Sequence, residues 1–355
     1  MKILITGICG FVGSEIAIYL KQLGASNSLE ILGVDNLSRK GSWANRERLS
    51  KLGIHVDHGD IRSQADVESV GDVDWVIDAA ANPSVMAGVD GKSSSRQLVD
   101  YNLTGTINLL EFCKSRSAGF ILLSTSRVYS IEPLAKLQVD VVDQAYEPSD
   151  EVLPNGFSAN GITESFGTHS PVSLYGATKL ASEQLALEYG NTFDFPVLIN
   201  RCGVMAGARQ FGKADQGIFS FWLHSWREQK PLMYIGFDGQ GHQVRDCLHP
   251  RDLGDLLSLQ MKDKKKASLG IINVSGGKKS AMSLAQISNW CTERWGPNPV
   301  AEDRNPRKFD LPWVVLDHSL ATETWGWSPK TEVTAILNEI ADFADTQDDW
   351  IGFSS

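Results

Sequence analysis

The sequence predicts an α/β protein: a doubly wound, mainly parallel (Rossmann-like) sheet followed by a smaller C-terminal lobe. Three observations predict it. Short apolar runs alternate with amphipathic stretches over the first 125 residues, an order that right-handed crossovers turn into a parallel sheet. A glycine-rich turn joins the first run to the first amphipathic stretch, where open α/β sheets bind ligands. Beyond Arg201 the alternation gives way to glycine-rich loops and tryptophan-bearing stretches.

Each element has its own pattern. Lys2–Thr6 reads as a buried strand, and Gly13–Leu23 as a helix with Phe11, Val12, Ile16 and Leu20 turned inward. Strands follow at Glu30–Asp35, His55–His58 and Val73–Ala80. Leu98–Lys114 has the 3.6-residue period of one helix, and Ala118–Ser124 is the next strand. Helix Leu174–Tyr189, strand Val197–Asn200 and helix Pro250–Met261 complete the set. The proline-bearing stretch from Ser130 to Pro171 is too long for an inert connection and is expected to cross near the site. Residues 1–200 with 246–272 are expected to form the first unit, 201–245 with 273–345 the second, and 346–355 a weakly structured tail. The basic run Lys262–Lys266 reads as a solvated helix end, and the ten Trp as core of the second lobe.

Composition excludes several classes. Thirty-three basic against 43 acidic residues give a net charge of −10, which disfavours a nucleic-acid backbone or an anionic membrane but leaves room for a local basic pocket. The chain holds 14 Phe, 10 Trp and 7 Tyr, ample core material that argues against disorder. Cys9, Cys113, Cys202, Cys247 and Cys291 are scattered without C-x-x-C spacing, so neither a metal site nor a disulfide framework is expected. A reducing, cytoplasmic setting follows. No stretch approaches the roughly 20 apolar residues that span a bilayer.

The chemistry begins at Gly7, Gly10 and Gly13, spaced by three between a strand and a helix. The first permits the tight turn, the second lets a pyrophosphate approach the backbone, and the third lets helix and strand pack closely. Phe11 and Val12 belong to the same expected cofactor contact. Asp35 ends the second strand, where a carboxylate accepts bonds from an adenosine ribose and repels a 2′-phosphate, favouring NAD. Asn36, Ser38 and Arg39 follow it, and Arg39 or Lys40 could instead neutralise that phosphate. Asp60 and Ile61 either meet the adenine or form a simple turn. Ala79, Ala80 and Ala81 either let a cofactor pass or only pack a strand end. Tyr175 and Lys179, at i and i+4, share one helix face, so the ammonium can favour the phenolate that a hydride transfer at a carbinol needs as acid and base. Thr125 is the expected hydroxyl partner, with Ser124 and Ser126 as competitors.

Taken together, Gly7–Gly13, Asp35, Asp60, Ser124–Tyr129, Tyr175/Lys179, Arg201–Gly207, Gln243–Asp246, His249 and Gly326–Pro329 make the sequence resemble the extended short-chain dehydrogenases/reductases, the nucleotide-sugar epimerase and dehydratase group. Within that group, Asp35–Gly41, Arg209–Phe211, Asp215–Gly217 and Gln243–His249 resemble the CDP-tyvelose (CDP-paratose) 2-epimerases. The resemblance implies that Arg245 and Arg307 clamp a nucleoside diphosphate, a task suited to guanidinium forks, the alternative being surface ion pairs. It implies that Arg209, Gln210 and Gln216 meet the nucleobase or diphosphate, and that Ser84 and Val85 line the sugar pocket. Ser126 and Arg127 stand where dehydratases of the group carry an Asp-Glu pair, so water loss has no evident machinery and both residues count with the substrate-binding set. Val204 and Ala206 make the pocket more apolar than usual for the group, and His249 is read as structural.

The implied activity is NAD-dependent inversion of one hexose carbon through a transient ketone. A 4-epimerase, a net NAD(P)H-dependent reductase and a non-catalytic dinucleotide sensor are the alternatives. The resemblance also implies a homodimer formed through Leu98–Lys114 and Leu174–Tyr189.

Overall fold

The computed structural model describes residues 1–24, 29–89, 91, 93–149, 153–213, 216–263, 266 and 270–354. Its main sheet has seven strands: β1 (Lys2–Thr6), β2 (Glu30–Asp35), β3 (His55–His58), β4 (Trp75–Asp78), β5 (Gly119–Thr125), β6 (Val197–Cys202) and, later in the chain, Gly270–Val274. The helices that matter below are α1 (Phe11–Leu23), α2 (Gly105–Arg116), α3 (Ser173–Phe193), α4 (Ile218–Arg227), α5 (Pro250–Lys262), α6 (Leu284–Trp295), α7 (Val333–Thr346) and α8 (Trp350–Ser354). With Val244–Leu248 as β7 and Gly270–Val274 as β8, the sheet order is β8-β6-β5-β4-β1-β2-β3. Every pairing in this sheet is parallel.

A parallel sheet covered on both faces needs apolar residues at every position, sorted alternately to its two sides. The strands do this. Ile3, Ile5, Trp75, Ile77 and Ile121 pack on one face with α1 and α5, while Leu4, Val76, Phe120 and Leu122 pack on the other with α2. The order reverses between β1 and β4, so their C-terminal ends open a crevice there, the usual ligand position of such sheets.

β7 belongs to a second, mixed sheet, flanked by Val204–Met205 and Ala281–Ser283 and paired also with Trp313–Val314. The expected boundary at 245/246 therefore falls inside a strand, and β6 and β8 each run two residues past theirs. The second core is built from Phe219, Trp222 and Trp226 of α4 against Ile336, Leu337 and Ile340 of α7. Four residues depart from the tryptophan expectation: Trp43 is exposed, and Trp75, Trp325 and Trp327 join the main-sheet cluster, where Trp327 donates to the Asp252 carbonyl at 2.8 Å.

Two further expectations are corrected. Leu98–Lys114 is not one helix: Ser95–Val99 leads into a π-turn at Asp100–Thr104 and then α2. Gly105 lies at that junction, where a Cβ would come within 2.4 Å of Ile61. The tail is not loose. Trp350 in α8 stacks on Phe211 at 5.6 Å, meets Phe343 edge-on at 4.9 Å and donates to the Gln210 carbonyl at 2.9 Å. The basic run is only partly visible, since Lys264 and Lys265 lie outside the described residues. Lys266 reaches the Thr324 carbonyl at 3.1 Å.

The long 130–171 connection holds helix Ile131–Ala135 and a hairpin of Val139–Val142 with Ala145–Pro148. This hairpin fastens to the second lobe through Tyr146 N–H to the His242 carbonyl and Ser283 Oγ to the Gln144 carbonyl. Among the described residues no helix is long and apolar enough to cross a membrane.

His224 of α4 is fully buried beside Phe343, with neither ring nitrogen hydrogen-bonded, and burial pushes its pKa down to about 4. An unfolded chain would protonate it near pH 6.5. The unfolded state thus binds the extra proton first, and stability falls as pH drops from about 6.5 to about 4, by about 3 kcal/mol. Asp246, pushed up to about 6 by burial, acts with the opposite sign over an overlapping range. The test is therefore a difference: the urea unfolding free energy of wild type minus that of His224→Leu should fall with acid across that window. A difference independent of pH would refute it.

Candidate active site

The glycine turn is shaped by close approach. Gly7 has φ 60°, and a Cβ there would lie 2.8 Å from the Ala80 Cα, so β1 and β4 meet at this point. A Cβ on Gly13 would lie 2.5 Å from the Gly7 carbonyl oxygen, which is how α1 packs onto the turn. A Cβ on Gly10 would meet only that same oxygen, at 3.1 Å, leaving its other side open. Gly10 caps α1 without any side-chain hydrogen bond, so the first-turn N–H groups and the positive end of the helix dipole face outward. These residues fit the pyrophosphate of a dinucleotide.

Asp35 stands at the tip of β2, and its carboxylate accepts from the Cys9 N–H at 2.9 Å and the Leu37 N–H at 2.8 Å. It braces the glycine turn. Burial raises its pKa against those two bonds. Asn45, which sequence reasoning missed, donates to the Cys9 carbonyl at 3.0 Å from the other side. Asn36 donates to Asp60, whose pKa falls to about 2 chiefly through its hydrogen bonds from Arg62. Ile61 is buried and its carbonyl accepts from Asn108. The Ser38 N–H bonds Asn36 Oδ1. Phe11 is buried and Val12 partly so, Ala79 and Ala80 line the β4 end, and Ala81 is exposed.

Arg39 is drawn elsewhere. Its guanidinium donates to Gln216 Oε1 and to the Phe211 carbonyl, both at 2.6 Å, tying the loop after β2 to the second lobe. Gln216, expected on the substrate, is Arg39's partner here. Asp215 lies outside the described residues. Gln210 turns into its own loop, donating to the Met205 carbonyl at 2.7 Å. Arg209 lies over Phe343 at 4.8 Å, with Arg48 and Glu15 as its nearest charges. Gln216 and Arg209 lie at a seam between the lobes, and none of the three residues joins the arginines described below.

Thr125 ends β5, paired in register with Cys202 of β6, and its hydroxyl neighbours the Tyr175 phenol. Ser124 points to the opposite side of the strand and donates to Glu183, and Ser126 opens a short 3-10 turn. Tyr175 sits in the first turn of α3, 7% exposed and packed with Ala87, Leu98 and Val85. Ser84, also buried, accepts from the Met86 N–H within the loop after β4.

Burial pushes the Tyr175 phenol up to about 12, against the Thr125 hydroxyl and the charge of Arg127. Lys179, 2% exposed, faces Asp78, Glu183 and Cys202, and burial lowers its pKa against those neighbours. The lowering of the phenol expected from Lys179 is not found: burial prevails over the neighbouring Thr125 hydroxyl and the Arg127 charge. Asn102, in the π-turn, was not found from sequence. It donates to Thr178 Oγ1 of α3 at 3.2 Å and accepts from the Asn82 N–H at 2.8 Å.

Arg127, Arg245 and Arg307 converge. Arg127 donates to the Phe309 carbonyl at 3.1 Å, and Arg245 to Asp310 and the Leu311 carbonyl, each at 2.9 Å. Burial and the charges of Arg245 and Arg307 push Arg127 down to about 10. Three cations against two carboxylates, Asp310 and Asp246, leave a local positive excess, suited to a diphosphate. Gln243, also missed from sequence, donates to Asp310 at 3.2 Å. His249 caps α5 and bonds Glu339 of α7 at 3.1 Å, a junction role.

Comparison with known proteins agrees with this geometry. The chain is 28% identical over 354 residues to a CDP-paratose 2-epimerase of Salmonella typhi, covering 98% of this chain and all of that one. It is 26% identical to a UDP-glucuronate 4-epimerase of Thermodesulfobacterium geofontis, covering 93% and 92%. A solved UDP-glucuronic acid 4-epimerase of Bacillus cereus, in complex with UDP-glucuronic acid and NAD, superposes with a TM-score of 0.78 at 25% identity, covering 98% and 99%. The sequence profile of one family matches residues 3–275, a span that takes in the glycine turn, Thr125, the Tyr175 helix and the whole main sheet. The chain therefore belongs to the NAD dependent epimerase/dehydratase family.

Proposed function

We propose that this protein inverts C2 of a CDP-linked hexose of the paratose/tyvelose kind, through a transient ketone. The observation that carries the reading is Arg127, whose cation acts on Tyr175 on one side and on Arg245 and Arg307 on the other. C2 adjoins the anomeric carbon that bears the diphosphate, so a C2 enzyme needs its acid/base within one residue of its phosphate arginines. Full-length similarity to a CDP-paratose 2-epimerase supports this choice.

In this reading Tyr175, as phenolate, takes the hydroxyl proton, and Thr125 hydrogen-bonds the reacting oxygen. NAD, held by the glycine turn, Asp35 and Lys179, supplies a hydride acceptor that is restored within the cycle. Arg245 and Arg307 keep the diphosphate in place while the ketone presents its other face, and the phenol then returns the proton. Ser126 and Arg127 offer no acid/base pair for dehydration. A second reading, 4-epimerisation of a UDP-uronate, is favoured by the same half-buried Arg127, which would pair with a sugar carboxylate.

The test is proton NMR of the NAD-loaded protein with CDP-paratose, CDP-tyvelose, UDP-glucuronate and UDP-glucose. The expected result is interconversion of the CDP sugars, seen in anomeric couplings, without steady change in nicotinamide absorbance. Light scattering of the same preparation should give the mass of two chains, the homodimer that belongs to this reading. Turnover of UDP-glucuronate alone would establish the second reading. No product from any of these, nor from GDP- and dTDP-hexoses added to the same panel, would remove the epimerase assignment.

A further inference from the structure

Beneath the Tyr175 site lies a charged cluster that the reaction as described does not use. Glu183 is on α3, one turn beyond Lys179 and two beyond Tyr175, on the same face and fully buried. It accepts from Ser124 Oγ, the residue before Thr125, and from Arg201 of β6 through Nη2 at 2.7 Å and Nε at 3.1 Å. Arg201 lies over the Tyr129 ring at 5.0 Å, and Tyr129 Oη donates to Asn273 of β8 at 2.6 Å. One carboxylate thus joins the helix that carries Tyr175 and Lys179 to the strand that carries Thr125 and to the strand beside it.

A buried ion pair is a poor way to stabilise a fold, because desolvation cancels most of the attraction and apolar replacements often serve as well. Its position gives it another use. Around Lys179 stand Asp78 from β4, Cys202 from β6 and Glu183 from its own helix. The Cys202 thiol is pushed up to about 12 by burial and is neutral. Asp78 already accepts from Thr6 Oγ1 at 2.8 Å and Thr106 Oγ1 at 3.0 Å. Glu183 is the second of the two carboxylates that face the ammonium.

We infer that Glu183 is a positioning residue: held by Arg201 and Ser124, it fixes the Tyr175–Lys179 face of α3 against the ends of β5 and β6 and supplies counter-charge to the buried Lys179 ammonium. This rests on the acid/base roles given above to Tyr175 and Lys179.

The test uses NAD-loaded protein labelled with [ε-13C]lysine, the Lys179 resonance being assigned with K179R. Three variants separate charge from fold. E183Q/R201M removes both charges together and avoids stranding one buried ion. E183D keeps the charge at shorter reach, and S124A removes only the strand tie. The expected result is a Lys179 titration midpoint about 1 pH unit lower in E183Q/R201M and unmoved in E183D and S124A. With CDP-paratose as probe, kcat should fall about tenfold in all three, with KM within about twofold, because geometry is lost in each. A folded E183Q/R201M protein with an unmoved Lys179 midpoint would overturn the counter-charge role. Unchanged kcat in E183D and S124A would overturn the positioning role. If wild type does not turn over CDP-paratose, the substrate reading fails while the NMR midpoint still decides the Glu183 charge.

Discussion

Tyr175→Phe is expected to lower kcat on the CDP-hexose by about a thousandfold, the scale of a lost general acid/base, while NAD and nucleotide-sugar binding stay near wild type. The ring environment explains why binding should survive. Ala87, Leu98 and Val85 contact the aromatic body, which phenylalanine retains. What is lost is the hydroxyl itself, which neighbours Thr125 and feels the charge of Arg127. The pH dependence gives a second check. The phenol stands at about 12 in the protein, so the phenolate fraction is small at neutral pH and grows as pH rises. Wild-type kcat/KM should therefore climb with pH, and the residual rate of Tyr175→Phe should not. Rates by NMR across pH, with NAD titrated by tryptophan fluorescence, measure both. A Tyr175→Phe rate within tenfold of wild type would remove Tyr175 from the chemistry.

The parts of this site that were legible in the sequence obey local periodicities. Gly7, Gly10 and Gly13 carry their meaning in spacing, and Tyr175 with Lys179 in helical phase. Thr125 could not be separated from Ser124 and Ser126, because alternate strand residues point to opposite sides and the end of β5 was placed one residue early. The same phase that paired Tyr175 with Lys179 pointed onward to Glu183 at i+8, a polar residue on a buried face, and that signal was available. Its partner Arg201 was not, since only the fold brings β6 beside α3.

Cations show the limit most plainly. Arg39, Arg127, Arg209, Arg245 and Arg307 are alike in sequence, yet long-range contacts sort them into a seam between lobes and a cluster beside Tyr175. The π-turn that places Asn102 left the 3.6-residue period of its neighbours readable and so stayed hidden. In the tail, Trp350 was a legible anchor: a large aromatic side chain is seldom left in solvent.

Gly176→Ala should damage turnover almost as much as losing a chemical group, although residue 176 touches no ligand in the proposed mechanism. A Cβ at Gly176 would lie 2.2 Å from the Arg127 carbonyl oxygen and 3.1 Å from its carbonyl carbon. Both atoms are backbone, so no flexible side chain can yield, and the separation is about 1 Å short of van der Waals contact. Alanine in a helix gains about 1 kcal/mol over glycine, whereas overpacking against backbone costs about 1–3 kcal/mol, so the clash prevails. The displaced segments are the two that matter, because Tyr175 precedes Gly176 and Thr125 lies two residues before Arg127. A shift near 1 Å at reacting groups is worth about a hundredfold in rate. The expected outcome is kcat down about a hundredfold with NAD affinity unchanged, since α1 and the glycine turn stand apart from this contact. Gly190→Ala on the same helix is the control. Its Cβ would meet mainly the Val197 side chain, at 2.7 Å, two turns of α3 beyond Glu183, so it should lower thermal stability while kcat stays within about twofold. Wild-type kcat in Gly176→Ala would mean that the Arg127 carbonyl can retreat without carrying Thr125 or Tyr175 with it.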